Sequence, residues 1–147
     1  MEPFAEAFQQ LASISAVLGG LAFTGAAAIL NAGAATDDPD AVSRSAEVTA
    51  GTAVSGAVCF IAAAVMWSLM AADVSRAIAA DASFPAHVEN VNWIPSLGLL
   101  TGTLLLLVSI GASGWIASRR LGRVTSVLAV IGGIALLVIF GWFAEVG

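Results

Sequence analysis

Four long apolar runs divide this chain, and polar positions gather between them and at the two ends. The runs cover about 8–31, 48–72, 93–118 and 123–143. Each is ~20 residues or longer, and a helix of that length rises about 30 Å, the thickness of a bilayer's hydrocarbon core. In lipid every backbone N–H and C=O must find its partner inside the segment, so each run predicts an α-helix. The pattern predicts an all-α, polytopic membrane protein. It has one transmembrane domain of four helices over residues 1–147, with the lipid bilayer as its solvent.

The breaks between runs carry their own signals. Thr36-Asp37-Asp38-Pro39-Asp40 reads as a turn, and Ser43 or Ser45 could cap the helix that follows. Asp73 to Asn92 is the longest connection; Val74 to Ala80 could prolong the second helix before Phe84-Pro85 breaks it. Pro95 is tolerated in the first turn of the third helix. Arg119-Arg120-Leu121-Gly122-Arg123 reads as a tight turn. Composition agrees with lipid as solvent: 59% of residues are apolar and 10% charged, against about 25% charged in a soluble domain.

Charge orients the spans. Five arginines are the only strong bases, and the net charge is −5, which argues against a nucleic-acid partner. Arg44, Arg119, Arg120 and Arg123 fall in the first and third connections, and Arg76 alone falls in the second. Positive residues in short loops favour the cytoplasm, so both termini are expected outside a cell membrane that the chain crosses several times. Trp67, Trp93 and Trp142 are expected near the outer interface and Trp115 near the inner one. The segment from Met1 to Glu6 has no basic residue, so the first run reads as a span rather than a cleavable signal.

Small residues repeat at helical spacing. Ala12, Ser15, Gly19, Ala22 and Ala26 share one face of span one, and Gly98 and Gly102 form a GxxxG match in span three. Such faces let helix backbones approach closely, so Gly98 and Gly102, with Gly132 and Gly133 in span four, are candidate helix-packing positions. The small face of span one could pack on its neighbours or leave room for water. Candidate pore-lining residues are Ser15, Gly19, Leu21, Ala22, Ala28 and Asn31. Asp37, Asp38 and Asp40 are candidate pore-mouth residues that could concentrate cations.

Catalytic chemistry is thin. No Asp, Glu, Lys, Arg or His lies in the middle of a span, which counts against proton relays and ion-coupled transport. The acid–base and nucleophile–base pairs of hydrolases are missing too. A single histidine and a single cysteine make no metal or haem site, so neither cofactor nor metal is expected and the chain reads as non-enzymatic. His87, near Glu89 and Asp81, could sense pH or simply be solvated. Cys59 could be a redox switch or a small packing residue. Thr52, Ser55 and Cys59 in span two, and Ser109 and Ser113 in span three, could line a wet pathway or bond neighbouring helices.

Ser15 to Phe23, span two with Cys59, the extension from Val74 to Ala80, the stretch His87 to Trp93, and Gly102-Thr103-Leu104-Leu105 together resemble the Orai calcium-channel family. The likeness covers about three of the four spans, and its motifs are made of common membrane residues. It implies a four-span subunit of a homo-oligomeric channel with span one lining the pore. The family's selectivity carboxylate would fall at Ala28, and its basic stretch before the pore helix is missing, so the likeness does not carry calcium selectivity with it. The family also keeps its termini in the cytosol. Two functions follow from the sequence: a homo-oligomeric ion channel or pore of low selectivity, passing cations, or a non-catalytic accessory subunit bound to other membrane proteins.

Overall fold

The computed structural model describes residues 1–34 and 44–146, with side chains left aside at 32–34, 117 and 143–146. The pore-mouth candidates Asp37, Asp38 and Asp40 lie outside the described residues. Five helices follow one another: α1 Glu2–Ala34, α2 Arg44–Ala79, α3 Ala86–Val91, α4 Trp93–Ala117 and α5 Arg119–Val146. Four stretches are long and apolar enough to cross a membrane, Glu2–Asn31, Arg44–Ala79, Ala86–Ile116 and Arg119–Trp142. Among the described residues there is no strand. The chain is an all-α protein of the multi-pass membrane type.

The helices run past the apolar runs that announce them, because a helix does not end where hydropathy does. α2 continues to Ala79 and stops in a Schellman arrangement. Ala82 N–H donates to the Ala77 carbonyl at 2.9 Å and Asp81 N–H to the Ile78 carbonyl at 3.1 Å. Asp81 takes the left-handed backbone position, with φ of 50°, that this cap requires. α3 follows Pro85, and its last-turn neighbour Asn92 is itself helical, so α3 and α4 are nearly continuous.

The third connection differs from expectation. Arg119 to Arg123 is not a turn but the first turn of α5, so the helix of the fourth span begins four residues before position 123. The break is Ser118. Its Oγ accepts a hydrogen bond from Leu121 N–H at 3.2 Å, the cap of a helix starting at Arg119. Charged residues resemble a loop in the sequence, yet a helix end that reaches water carries them without difficulty.

Two compact units divide the described chain. The first holds Met1–Phe23 and Ser55–Gly102, the second Thr24–Val54 and Thr103–Gly147. In the first, Ala5, Phe8, Ala12, Ala63, Trp67, Met70, Ala71, Val74 and Val88 form the core. Phe8 stacks on Trp67 with centroids 5.3 Å apart, and Phe4 meets Phe84 edge-on at 5.7 Å. Trp67 is thus 3% exposed and sits in the packed interior. Trp93, by contrast, is 61% exposed. In the second unit, Ala50, Ala53 and Thr49 of α2 and Ser109 of α4 are buried, and α5 packs on α4 through Gly111, Gly114 and Gly122.

Candidate functional site

α1 has two faces with different fates. Ala12, Ser15, Gly19, Ala22 and Ala26 are all buried, so the small stripe is a packing face. A methyl group placed on Gly19 would meet Phe60 Cβ at 3.3 Å and the Ala57 carbonyl at 3.5 Å, so α2 covers this stripe in the first unit. Leu21, Ala28 and Asn31 are exposed. The six pore-lining candidates therefore do not share one surface. Ser15, Gly19 and Ala22 face the interior of the packed helices, and water could reach them only if α2 moved away. The reason is the 3.6-residue period: positions 15, 19 and 22 lie on one side, and 14, 17, 21, 28 and 31 on the other. Ser15 Oγ and Trp67 Nε1 are buried polar atoms without a hydrogen-bond partner among the described residues.

The GxxxG pair is a helix contact within the first unit. A methyl group on Gly98 would lie 3.5 Å from Ala63 Cβ and from the Cys59 carbonyl. On Gly102 it would lie 3.0 Å from the Phe60 ring and 3.2 Å from the Gly56 carbonyl. α4 thus rests on α2 along these two glycines. Gly132 and Gly133 look more loosely onto the ends of Leu107 and Leu104, at 3.5–4.0 Å.

Several polar positions of the spans bond within or between the helices themselves. Thr52 Oγ1 donates to the Val48 carbonyl at 2.7 Å, and Ser113 Oγ to the Ile110 carbonyl at 2.8 Å. Ser109 Oγ reaches across to the Thr49 carbonyl at 2.9 Å, a buried α4–α2 bond. Thr125 Oγ1 shares its proton between the Gly111 carbonyl across the α4–α5 contact and the Leu121 carbonyl one turn back, each at 3.1 Å. Trp115 Nε1 donates to Ser126 Oγ at 3.0 Å. Such bonds hold helices together in lipid, at about 0.6 kcal/mol each. The pairs formed by Ser109, Thr125 and Trp115 lie on elements whose sequences signal only "small and polar"; nothing in the pattern names their partners.

His87 pairs with Asp73, not with Asp81 or Glu89. Its Nε2 lies 3.1 Å from Asp73 Oδ2, and Arg76 holds the other oxygen of the same carboxylate at 2.9 Å. The group is solvent-exposed, so these ion pairs contribute little to stability. Among the described residues no set of three His, Cys, Asp or Glu side chains converges to hold a metal ion. Cys59 is half-buried and free.

Two large open grooves lie among the described residues. One, in the first unit, runs between α1 and α2 past Gln9, Ser13, Ala16, Ala64 and Ser68, with a volume of about 720 Å³. The other, in the second unit, has a volume of about 600 Å³ and is walled by Leu104, Leu107 and Val108 of α4 and by Ala129 and Val130 of α5, with Arg44 at one end. Among the described residues that line them, no nucleophile stands beside a base. Comparison of the chain with protein-family models, with curated proteins and with solved structures finds no match.

Proposed function

We propose that this chain assembles with copies of itself in the cell membrane into an ion pore of low selectivity, with the outward face of α1 toward the lumen. The observation that carries this reading is the division of α1. Its small stripe is spent on packing inside the protomer, so the row left to line anything is Ile14, Val17 and Leu21, with exposures of 53%, 62% and 64%. Ala28 and then Asn31 follow on the same face. An uncharged, apolar lining of this kind discriminates weakly between ions and gates by dewetting. The acidic residues of the first connection would enrich cations at the mouth. The likeness to Orai channels supports a first helix at the centre of a ring, and alanine at position 28 fits low selectivity.

Reconstituted protein should pass small cations, and Leu21→Ser should raise the leak by wetting the lining. Replacing Asp37, Asp38 and Asp40 with Asn should weaken the preference for cations. If liposomes of pure protein pass no ion under voltage or osmotic load, and Leu21→Ser is equally silent, the pore reading fails. The second reading, an accessory subunit, draws support from the bond of Ser109 to the Thr49 carbonyl, which turns that stripe position to helix packing. It would then be pursued through the membrane proteins that co-purify with the chain.

Orientation belongs to the same proposal. Arg44, Arg119, Arg120 and Arg123 favour the cytoplasmic side, with both termini outside. Gly147→Cys should react with an impermeant thiol reagent on intact cells in a background where Cys59 is replaced by Ala. Labelling only after permeabilisation would invert the topology and strengthen the likeness to Orai channels.

A further inference from the structure

The second unit carries an apolar groove with a basic end. Arg44, Ser45, Trp115 and Ser126 line one end, and the groove runs between α4 and α5 to Leu104 and Gly133 at the other. Its walls are aliphatic along this length. From Leu104 to Trp115 α4 rises about 16 Å, so the groove is long enough for much of a hydrocarbon chain. Charge gathers at one end only. Arg44 opens α2, and Arg119, Arg120 and Arg123 occupy the first turns of α5, just before Ser126. All four arginines are exposed, and none has an ion pair among the described residues. Among the described residues no carboxylate lines the groove, and the nearest in sequence, Glu47, shares the first turn of α2 with Arg44. Bases at the start of α5 oppose the helix dipole, which favours anions there. Of these arginines Arg44 lines the groove itself, so an anion seated at its end would meet that guanidinium.

We propose that this groove holds an anionic phospholipid, with one acyl chain along Leu104, Leu107, Val108 and Val130 and the phosphate at Arg44. Charge complementarity selects this occupant. An aliphatic slot alone takes any lipid tail or a neighbouring helix, whereas the slot ending in an arginine takes a chain that ends in a negative headgroup. Trp115 fits the same arrangement. Its ring lies at the groove's polar end with its N–H held by Ser126, the place an indole takes at the boundary between hydrocarbon and headgroup. The proposal rests on the membrane placement of the four helices and is independent of conduction.

The test uses the whole chain, delipidated in neutral detergent and titrated with phosphatidylglycerol or with phosphatidylcholine of the same acyl chains. Native mass spectrometry reads the bound lipid. Phosphatidylglycerol should bind at one saturable site and clearly more tightly than phosphatidylcholine. Arg44→Gln, at an exposed helix start, should weaken it about fivefold, the effect of one basic residue on an anionic lipid. Val108→Trp, on the exposed wall, should fill the slot and weaken both lipids. Glycerol phosphate, which has the headgroup charge but no tail, should not compete. Equal binding of the two lipids by the unaltered chain, or no change in Arg44→Gln, would overturn the proposal. So would competition by glycerol phosphate, which would mark a site for a free phosphate. If Val108→Trp dissociates an oligomer and leaves phosphatidylglycerol uptake unchanged, a second copy of the chain fills the groove and the proposal fails.

Discussion

Gly102→Leu is expected to be strongly destabilising, by about 3 kcal/mol, the upper end of what overpacking a tight site costs. The β-carbon alone would sit 3.0 Å from two atoms of the Phe60 ring and 3.2 Å from the Gly56 carbonyl, a backbone atom that cannot turn aside. Phe60 is fully buried, so its ring has nowhere to swing. The three further carbons of leucine must then separate α4 from α2. In lipid that separation is not recovered elsewhere, because helix association there depends on close packing rather than on escape from water. Melting of the purified protein in detergent reads the effect. Gly20→Leu is the control, since nothing lies within 4 Å of a methyl group at that exposed position. Adding Phe60→Ala to Gly102→Leu should recover part of the loss by returning volume, a coupling expected of residues in contact. An unchanged melting temperature in Gly102→Leu would mean that α4 does not rest on α2 through this face.

The second large effect is expected at Gly114. A methyl group there would overlap Thr125 Oγ1 and approach the Leu121 carbonyl to 3.0 Å. Even Gly114→Ala must therefore push the Thr125 side chain out of its place. Thr125 would lose its bond to the Gly111 carbonyl, and the α4–α5 contact would loosen near Trp115 and Ser126. The cost is about 2 kcal/mol from overpacking and the lost hydrogen bond together. Gly141→Ala, a glycine in α5 with open space around it, should leave melting unchanged. Thr125→Ser in the Gly114→Ala background removes the second crowding atom, Cγ2, and should restore part of the stability. If Gly114→Ala melts with the unaltered protein, α4 and α5 do not approach at this point.

Much of the architecture was legible before any coordinates. Long apolar runs become helices because each helix satisfies its backbone locally, so no knowledge of neighbours is needed. The extension of α2 past residue 72, expected to reach Ala80, was legible for the same reason and ends at Ala79; its stop was not, because the cap at Asp81 ends the helix before Phe84-Pro85 is reached. The closeness possible at Gly98 and Gly102 was legible too, because a missing side chain permits a close approach wherever the helix finds a partner. The start of α5 was not legible: charge in Arg119 to Arg123 mimicked a loop, and the Ser118 cap declares itself only through its bond to Leu121.

What the sequence left open is which way each helix turns. In water, hydropathy separates inside from outside; in lipid both sides of a helix are apolar, so the pattern along α1 does not distinguish the buried stripe at Ser15 and Gly19 from the exposed row at Val17 and Leu21. Only packing decided that. The same holds for Trp67, whose burial in the stack on Phe8 no pattern along α2 announces. Gly19 and Gly20 are adjacent and alike, yet a methyl group on the first would meet Phe60 and one on the second would find no atom within 4 Å. Ser109 finds the carbonyl of Thr49 sixty positions away. A one-dimensional pattern determines helices because their bonds reach only four residues along the chain. It cannot determine contacts between helices, because those depend on rotation about each axis, which in a uniformly apolar solvent is set by shape and by a few hydrogen bonds.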